Sequence, residues 1–238
     1  MKTVKLFFVS TIVLLAGATS CVTDTIEGNG IVTSEGRIAA NFDKVKSSGD
    51  FEVHITHGDN YEVIVIAEEN VIPYIETRVS NGILHIDSDN LTTIRNRIPM
   101  EVFITTPSLE GIILSGSGTI TTDYFSGKKM DILLSGSGKI RTACNTNEVK
   151  SVVSGSGTIT ISGTTSEADF AISGSGKIDA IDLASIDCHT ATSGSGDMWI
   201  SVDHQLKVNI SGSGNVFYYG QPNLETHISG SGNVIDNN

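Results

Sequence analysis

Val153-Ser154-Gly155-Ser156-Gly157-Thr158-Ile159 is one of seven near-copies of a single pattern. The Ser-Gly-Ser-Gly core begins at Ser115, Ser135, Ser154, Ser173, Ser193, Ser211 and Ser229, at spacings of 20, 19, 19, 20, 18 and 18 residues. Leu114, Leu134, Val153, Ile172, Thr192, Ile210 and Ile228 stand immediately before the copies. Ile120, Ile140, Ile159, Ile178, Met198, Val216 and Val234 stand two residues after them. Because strand side chains alternate faces, the positions before and after each copy share an inner face with both glycines, and the serines point outward.

A unit of this length cannot close its own core, whereas stacking each unit on the next at about 4.8 Å buries a continuous column of Ile, Leu and Val. The chain therefore reads as all-β, a parallel β-helix or β-solenoid over residues 111–238. A right-handed coil is expected, since neither the six-residue subperiod of left-handed hexapeptide helices nor the leucine spacing of leucine-rich repeats is present. Glycine inside a strand costs roughly 0.5 to 1 kcal/mol relative to alanine, so the fourteen motif glycines call for a steric reason, a bend or a close backbone approach. The serines are expected to form ladders exchanging hydroxyl hydrogen bonds, with a flat polar surface for glycans as the functional alternative.

The third residue after each motif faces outward and reads Thr121, Arg141, Thr160 and Asp179, then Trp199, Phe217 and Ile235. An apolar strip is expected there, with Tyr219 on the same face as Phe217, and it is either covered by a loop or open to a sugar or protein ligand. Trp199, Phe217 and Tyr219 are the candidate ligand-binding residues. The sequence ends at Asn238, soon after the seventh motif, which raises homodimerisation through that end.

Residues 31–110 read as β-strands continuous with the solenoid. Phe51, Val53 and Ile55 alternate, His57-Gly58-Asp59-Asn60 supplies turn chemistry, and Tyr61, Val63 and Val65 alternate again, the pattern of a hairpin. A helical turn interrupted by Pro73, a turn at Asn81-Gly82, and strands around Leu84 and Ile86 and around Met100, Val102 and Ile104 follow.

Residues 1–20 have the make-up of an export signal: Lys2 and Lys5, then an apolar run from Leu6 to Gly17 that is too short to span a bilayer. Ala18-Thr19-Ser20-Cys21 resembles a lipobox, which makes Cys21 the lipidated first residue of the mature protein, with 21–30 as a polar tether. Ala16-Gly17-Ala18 also fits an ordinary A-x-A cleavage site, which leaves plain secretion as the alternative to lipidation. Several acyl chains at about 0.8 kcal/mol per buried methylene would make the membrane a permanent partner.

The 15 basic against 27 acidic residues give a net charge of −12, which repels phosphate backbones and excludes nucleic acid as a partner. Cys144 and Cys188 lie two repeats apart, about 9.6 Å by stacking alone, beyond disulfide reach, and are expected as buried thiols. His54, His57, His85, His189, His204 and His227 show no metal-binding spacing, and Asp87-Ser88-Asp89-Asn90 lacks the glycine and distal glutamate of an EF-hand, so no metal or other cofactor is expected. Asp179, Asp182, Asp187 and Asp197 sit at different offsets in their repeats, so no rung-aligned catalytic pair is formed and the chain does not read as an enzyme.

Phe42-Asp43-Lys44-Val45 leading to Ser48-Gly49, the run Asn81-Gly82-Ile83-Leu84-His85-Ile86 and the seven motifs together resemble a bacterial family named "putative auto-transporter adhesin, head GIN domain" over roughly Phe42 to Val234. The resemblance implies a β-helical cell-envelope domain, commonly on lipoproteins, with adhesion as the implied role and no catalytic residues to carry over; the outer membrane is the membrane expected for the anchor. The sequence expectation is a non-enzymatic, lipid-anchored adhesin or ligand-binding module for a glycan or protein. A carbohydrate-active enzyme and a purely structural envelope component are the alternatives.

Overall fold

Each Ser-Gly-Ser-Gly copy turns the chain through a corner. A computed structural model describes residues 24–89 and 92–238. The strands run β1 (Asp24–Glu27), β2 (Val32–Arg37), β3 (Lys44–Gly49), β4 (Glu52–His57), β5 (Glu62–Glu68), β6 (Ile75–Ser80), β7 (Ile83–Ser88), β8 (Thr92–Arg95) and β9 (Glu101–Thr106). The repeats follow as β10 (Gly111–Gly116), β11 (Thr119–Gly136), β12 (Lys139–Gly155), β13 (Thr158–Gly174), β14 (Lys177–Gly194), β15 (Asp197–Gly212), β16 (Asn215–Tyr219), β17 (Asn223–Gly230) and β18 (Asn233–Asp236). Each long strand from β11 to β15 is one coil: a first run leaves one motif, and a second run leads into the next. All neighbouring coils pair in parallel, with Ser115, Ser135, Ser154, Ser173, Ser193, Ser211 and Ser229 in register. The chain is thus a β-solenoid of about seven turns.

The coil lengths differ by up to two residues, and the difference is absorbed away from the motif. Register slips fall between Thr121 and Tyr124, Thr160 and Gly163, Ala180 and Ala184, and Ser185 and Asp187, on the opposite side of the coil. The motif side stays fixed because its steric demands are strict. The first glycine of each copy has φ between 121° and 135°, a region that side-chain-bearing residues rarely enter. A Cβ on Gly155 would lie 2.5 Å from the carbonyl oxygen of Gly136 in the turn below. That same oxygen accepts hydrogen bonds from the Ser156 and Gly157 amides at 2.9 and 3.0 Å. The second glycine is buried against the column: a Cβ on Gly157 would lie 2.5 Å from Leu134 Cδ2 and 2.6 Å from Gly138 O.

The motif therefore provides both a bend and a close approach, and it is a corner rather than a gap within one strand. Only its second glycine shares the inner face. The serine hydroxyls differ from expectation as well: among the described residues none bonds to the serine of a neighbouring turn, because the backbone already supplies the inter-turn bonds at the corner. The inner columns are as read from the sequence over the first six copies, with Leu114, Leu134, Val153, Ile172 and Ile210 on one side of the corner and Ile120, Ile140, Ile159, Ile178, Met198 and Val216 on the other, all buried; at the seventh copy Ile228 is instead 42% exposed and Val234 only partly buried, because among the described strands β17 is paired on one side alone. Thr192 interrupts the first column at 3% exposure, and its Oγ1 has no hydrogen-bond partner. A buried unsatisfied hydroxyl is destabilising, so Thr192→Val, of nearly the same shape, is expected to stabilise the fold by about 1 kcal/mol and raise Tm by a few degrees in a thermal melt.

The N-terminal strands prolong both sides of the coil. On one side β3 stacks on β10 with Ser48 opposite Ser115 and Gly49 opposite Gly116, and β7 stacks on β3. Gly49 has φ 121°, so Ser48-Gly49-Asp50-Phe51 is an eighth corner in which buried Phe51 replaces the second glycine. On the other side β4 pairs with the first run of β11, β9 pairs with β4 in parallel, and β5 pairs with β9 antiparallel, followed by β2. The hairpin expected between residues 51 and 65 is thus not formed. Its two strands and its turn exist, but β9 lies between them, since pairing with a strand some 40 residues away fills the solenoid layer that a direct hairpin would leave empty. A 3-10 turn at Ile72–Tyr74 contains Pro73, and Asn81 and Gly82, with φ 52° and 74°, close the antiparallel β6–β7 hairpin as two-residue turns of positive φ do.

Part of the segment expected as a tether forms a strand: β1 pairs in parallel with β8, and Ile26 packs against the core. Buried Glu68 joins this region, accepting hydrogen bonds from the Gly30 amide at 2.6 Å and the Arg97 amide at 2.8 Å. Burial alone would raise its pKa, but the amides of Arg97, Gly30 and Ile98 and the Arg97 charge hold it below the ordinary carboxyl value. Cys144 and Cys188 are buried free thiols. They are two turns apart and in different columns, Cys144 aligning with Gly163 and Leu183, and Cys188 with Ala168 and Val149. Burial raises the Cys144 thiol to about 11 and pushes Cys188 higher still.

Candidate functional site

The first runs of successive coils present one outer face, and its columns can be followed strand by strand. The residue directly after each motif gives Thr119, Lys139, Thr158, Lys177 and Asp197, extended below by Glu52 and Glu101. The third residue gives Thr121, Arg141, Thr160, Asp179, Trp199, Phe217 and Ile235, extended below by His54 and Phe103. Trp199, Phe217 and Ile235 are thus in register, and Tyr219 aligns with Ser201 one step further along the strand. All four side chains are half-buried rather than covered or fully exposed.

The strip is held by contacts between its own members. Trp199 and Phe217 stack with ring centroids 4.9 Å apart and planes 10° apart, close to the spacing of the strands that carry them. Lys177 Nζ lies 4.1 Å from the centre of the Trp199 ring, in a cation–π contact, and makes an ion pair with Asp179 at 3.1 Å. Both faces of the indole are occupied, by Lys177 and by Phe217, so the strip offers ring edges outward. The Asn237 side-chain amide donates to the Tyr219 hydroxyl. Beside the strip, Asp197 Oδ1 accepts from the Asn215 amide at 2.8 Å and its Nδ2 at 3.0 Å, and Asn233 Nδ2 donates to Asn215 Oδ1 at 3.1 Å. A polar ladder therefore fixes the edge of the aromatic one.

At the other end of the same column His54 stacks on Phe103, with centroids 4.9 Å and planes 18° apart. Glu52, His54 and Glu101 offer ligand atoms within 4.8 Å of one another, a set that can hold a cation. Sequence reasoning missed this pair because it placed the strands of 51–65 in a hairpin. The alternation of Met100, Val102 and Ile104 does put Phe103 outward, but only the insertion of β9 beside β4 brings it to His54. Of the residues expected to form the site, Trp199, Phe217 and Tyr219 are brought together. Cys21 lies outside the described residues.

A family model described as "Putative auto-transporter adhesin, head GIN domain" matches residues 41–222. Among curated proteins none matches the chain. Several solved structures share the fold. A protein titled a putative adhesin from Bacteroides fragilis NCTC 9343 is 20% identical, with a TM-score of 0.84 over 88% of this chain and 98% of that one. One titled a putative lipid binding protein from Parabacteroides distasonis ATCC 8503 is 22% identical, with a TM-score of 0.75 over 90% and 100%. A putative adhesin from Parabacteroides merdae ATCC 43184 is 20% identical, with a TM-score of 0.73 over 90% and 100%.

Proposed function

Since the chain belongs to the family described as "putative auto-transporter adhesin, head GIN domain", we propose that it is a non-enzymatic adhesin of the cell envelope, lipid-anchored at Cys21 and probing for a ligand with the outer face of its late first runs. The observation that carries the reading is the strip of Trp199, Phe217 and Tyr219, whose aromatic edges stand half-exposed at one end of a column that is polar from His54 to Asp179. Large aromatic side chains held rigidly at a surface supply contact area at small entropic cost, which suits a binding hot spot. A sugar stacks on an open ring face, and both faces of Trp199 are taken, so a protein ligand is favoured over a glycan. Anchoring at Cys21 rests on the lipobox-like Ala18-Thr19-Ser20-Cys21, and the outer membrane is the membrane proposed for it.

The test compares binding of the lipidated protein to a panel of immobilised matrix proteins and a panel of immobilised glycans. Trp199→Ala is expected to lower binding to the protein panel at least about tenfold with circular dichroism unchanged, the effect of truncating a central aromatic anchor. Binding that survives this change, or that appears on glycans alone, contradicts the reading. Cys21→Ser is expected to move the protein from the membrane to the soluble fraction, and release of reducing ends from any polysaccharide in the panel would restore the carbohydrate-active enzyme.

A further inference from the structure

The second runs, those leading into each motif, present a different outer face, and its columns have an order of their own. Along the column two residues before the motif stand Lys46, Ile113, Leu133, Val152, Ala171, Ala191, Asn209 and His227. Bulky apolar side chains occupy the N-terminal half and small ones the middle. Leu133 is 40% exposed, while Ala171 and Ala191, with Val152 and Ile210, line a shallow hollow of about 530 Å³. Two residues further from the corner runs a column of charge: Lys44, Gly111, Asp131, Lys150, Asp169, His189, Lys207 and Glu225. Within the chain it is linked by exposed ion pairs, among them Lys44–Asp131 at 3.6 Å, Lys150–Asp169 at 4.0 Å and Lys207–Glu225 at 3.6 Å, which contribute little alone.

Both columns complement their own reversal. We propose that this face binds the same face of a second copy of the chain, the two rods antiparallel about a two-fold axis that lies along the strand direction between the β12 and β13 turns. Such an axis reverses the order of turns while keeping the charge column opposite the charge column. Lys150 then meets the partner's Asp169, Asp131 the partner's His189, and Lys44 the partner's Glu225. Gly111 meets the partner's Lys207, with no charge opposed. In the apolar column Val152 meets the partner's Ala171, and Leu133 enters the hollow at the partner's Ala191. Ile113 against the partner's Asn209 and Lys46 against the partner's His227 add no attraction, so the complementary pairings are the central four turns and the Lys44–Glu225 ends. An isologous interface requires this kind of self-complementarity, and neither the charge order nor the large-to-small taper is needed to build the solenoid, since both lie outside the core. Eight turns by about seven residues give a face of roughly 34 by 20 Å, near 700 Å² per copy, close to the ~800 Å² per partner of standard interfaces.

The test uses the full mature chain, lipid-anchored in detergent micelles. Sedimentation velocity is expected to show a dimer whose dissociation constant rises at least tenfold on Leu133→Arg, with circular dichroism unchanged. Lys44→Cys and Glu225→Cys lie seven turns apart within one rod, so a mixture of the two single variants is expected to yield a disulfide-linked heterodimer under mild oxidation, while a mixture of wild type with either does not. A monomer at 100 µM protein overturns the proposal. So does a dimer indifferent to Leu133→Arg but lost on Ile228→Arg, which would place the contact at the C-terminal end of the rod instead.

Discussion

Gly155→Val is expected to cost the protein at least about 3 kcal/mol and to lower the thermal midpoint by many degrees. Two independent penalties act at this position. With φ 125° the backbone lies where a β-branched residue is strained by about 1 to 3 kcal/mol. The new Cβ would also sit 2.5 Å from Gly136 O and about 3.1 Å from Gly136 N, so a backbone in the middle of the stack must shift. Neither obstacle is the end of a flexible side chain, which is why even Gly155→Ala, with only a Cβ, is expected to be clearly destabilising. Gly127 supplies the control: nothing lies within 4 Å of a Cβ there, its φ is not positive, and Gly127→Ala is expected to be neutral or slightly stabilising. Urea unfolding of the three variants measures the contrast, and equal midpoints for Gly155→Val and Gly127→Ala would refute the steric account of the corner.

Phe51→Ala is expected to cost about 3 to 5 kcal/mol, the range for emptying a buried aromatic site. Phe51 is fully buried at the one corner where no second glycine is present, and its carbonyl is the atom that a Cβ on Gly118 would meet at 2.4 Å. The ring fills, from within its own turn, the space at the start of the glycine column. Because β3, β4 and β9 all stack at this end, the loss should be felt first in the N-terminal turns. Hydrogen exchange is expected to show faster exchange in residues 44–57 and 101–106 than in the β13–β15 turns, where protection should be nearly retained.

The repetitive part of the fold was legible because one steric solution is used seven times. Ile140, Ile159 and Ile178 recur at one offset from the motif, and period-2 alternation carries them to the inner face without knowledge of any long-range contact. The same logic found the column of Trp199, Phe217 and Ile235. It could not tell that Trp199 and Phe217 would stack face to face, since ring orientation depends on side-chain torsions and on Lys177 in the neighbouring turn. The first half was less legible. Phe51, Val53 and Ile55 announce a strand, but which strand lies beside it is decided by how β9 closes the layer, and no local signal in 51–65 encodes that choice. The corner at Ser48-Gly49-Asp50-Phe51 was hidden for a related reason: the glycine signature is replaced by a phenylalanine that meets the same spatial requirement in the opposite way, by filling it.

The two outer faces differ in what they can do. The first-run face carries the aromatic strip at its C-terminal end and the His54–Phe103 pair at its N-terminal end, both stacked in the strand-to-strand direction. The second-run face carries a graded apolar column beside a mixed-charge one. A protein that binds a ligand with the first and its own copy with the second would present two ligand sites pointing away from one interface, and the affinity gained would come from multivalency rather than from any single contact.

The stacking of one motif per turn is tested most directly by distances between spin labels placed on the first serines of the motifs, which are exposed or half-exposed. Cys144 and Cys188 are buried with raised thiol pKa values, so in protein lacking residues 1–21 the labels attach at the introduced cysteines. Taking Ser115→Cys as origin, labels at Ser193→Cys, Ser211→Cys and Ser229→Cys are expected at separations that grow by about 4.8 Å for each added turn, from roughly 19 to 29 Å apart from a common label offset. Separations that fail to grow with motif number, or that alternate between short and long as antiparallel hairpins would make them, contradict the solenoid.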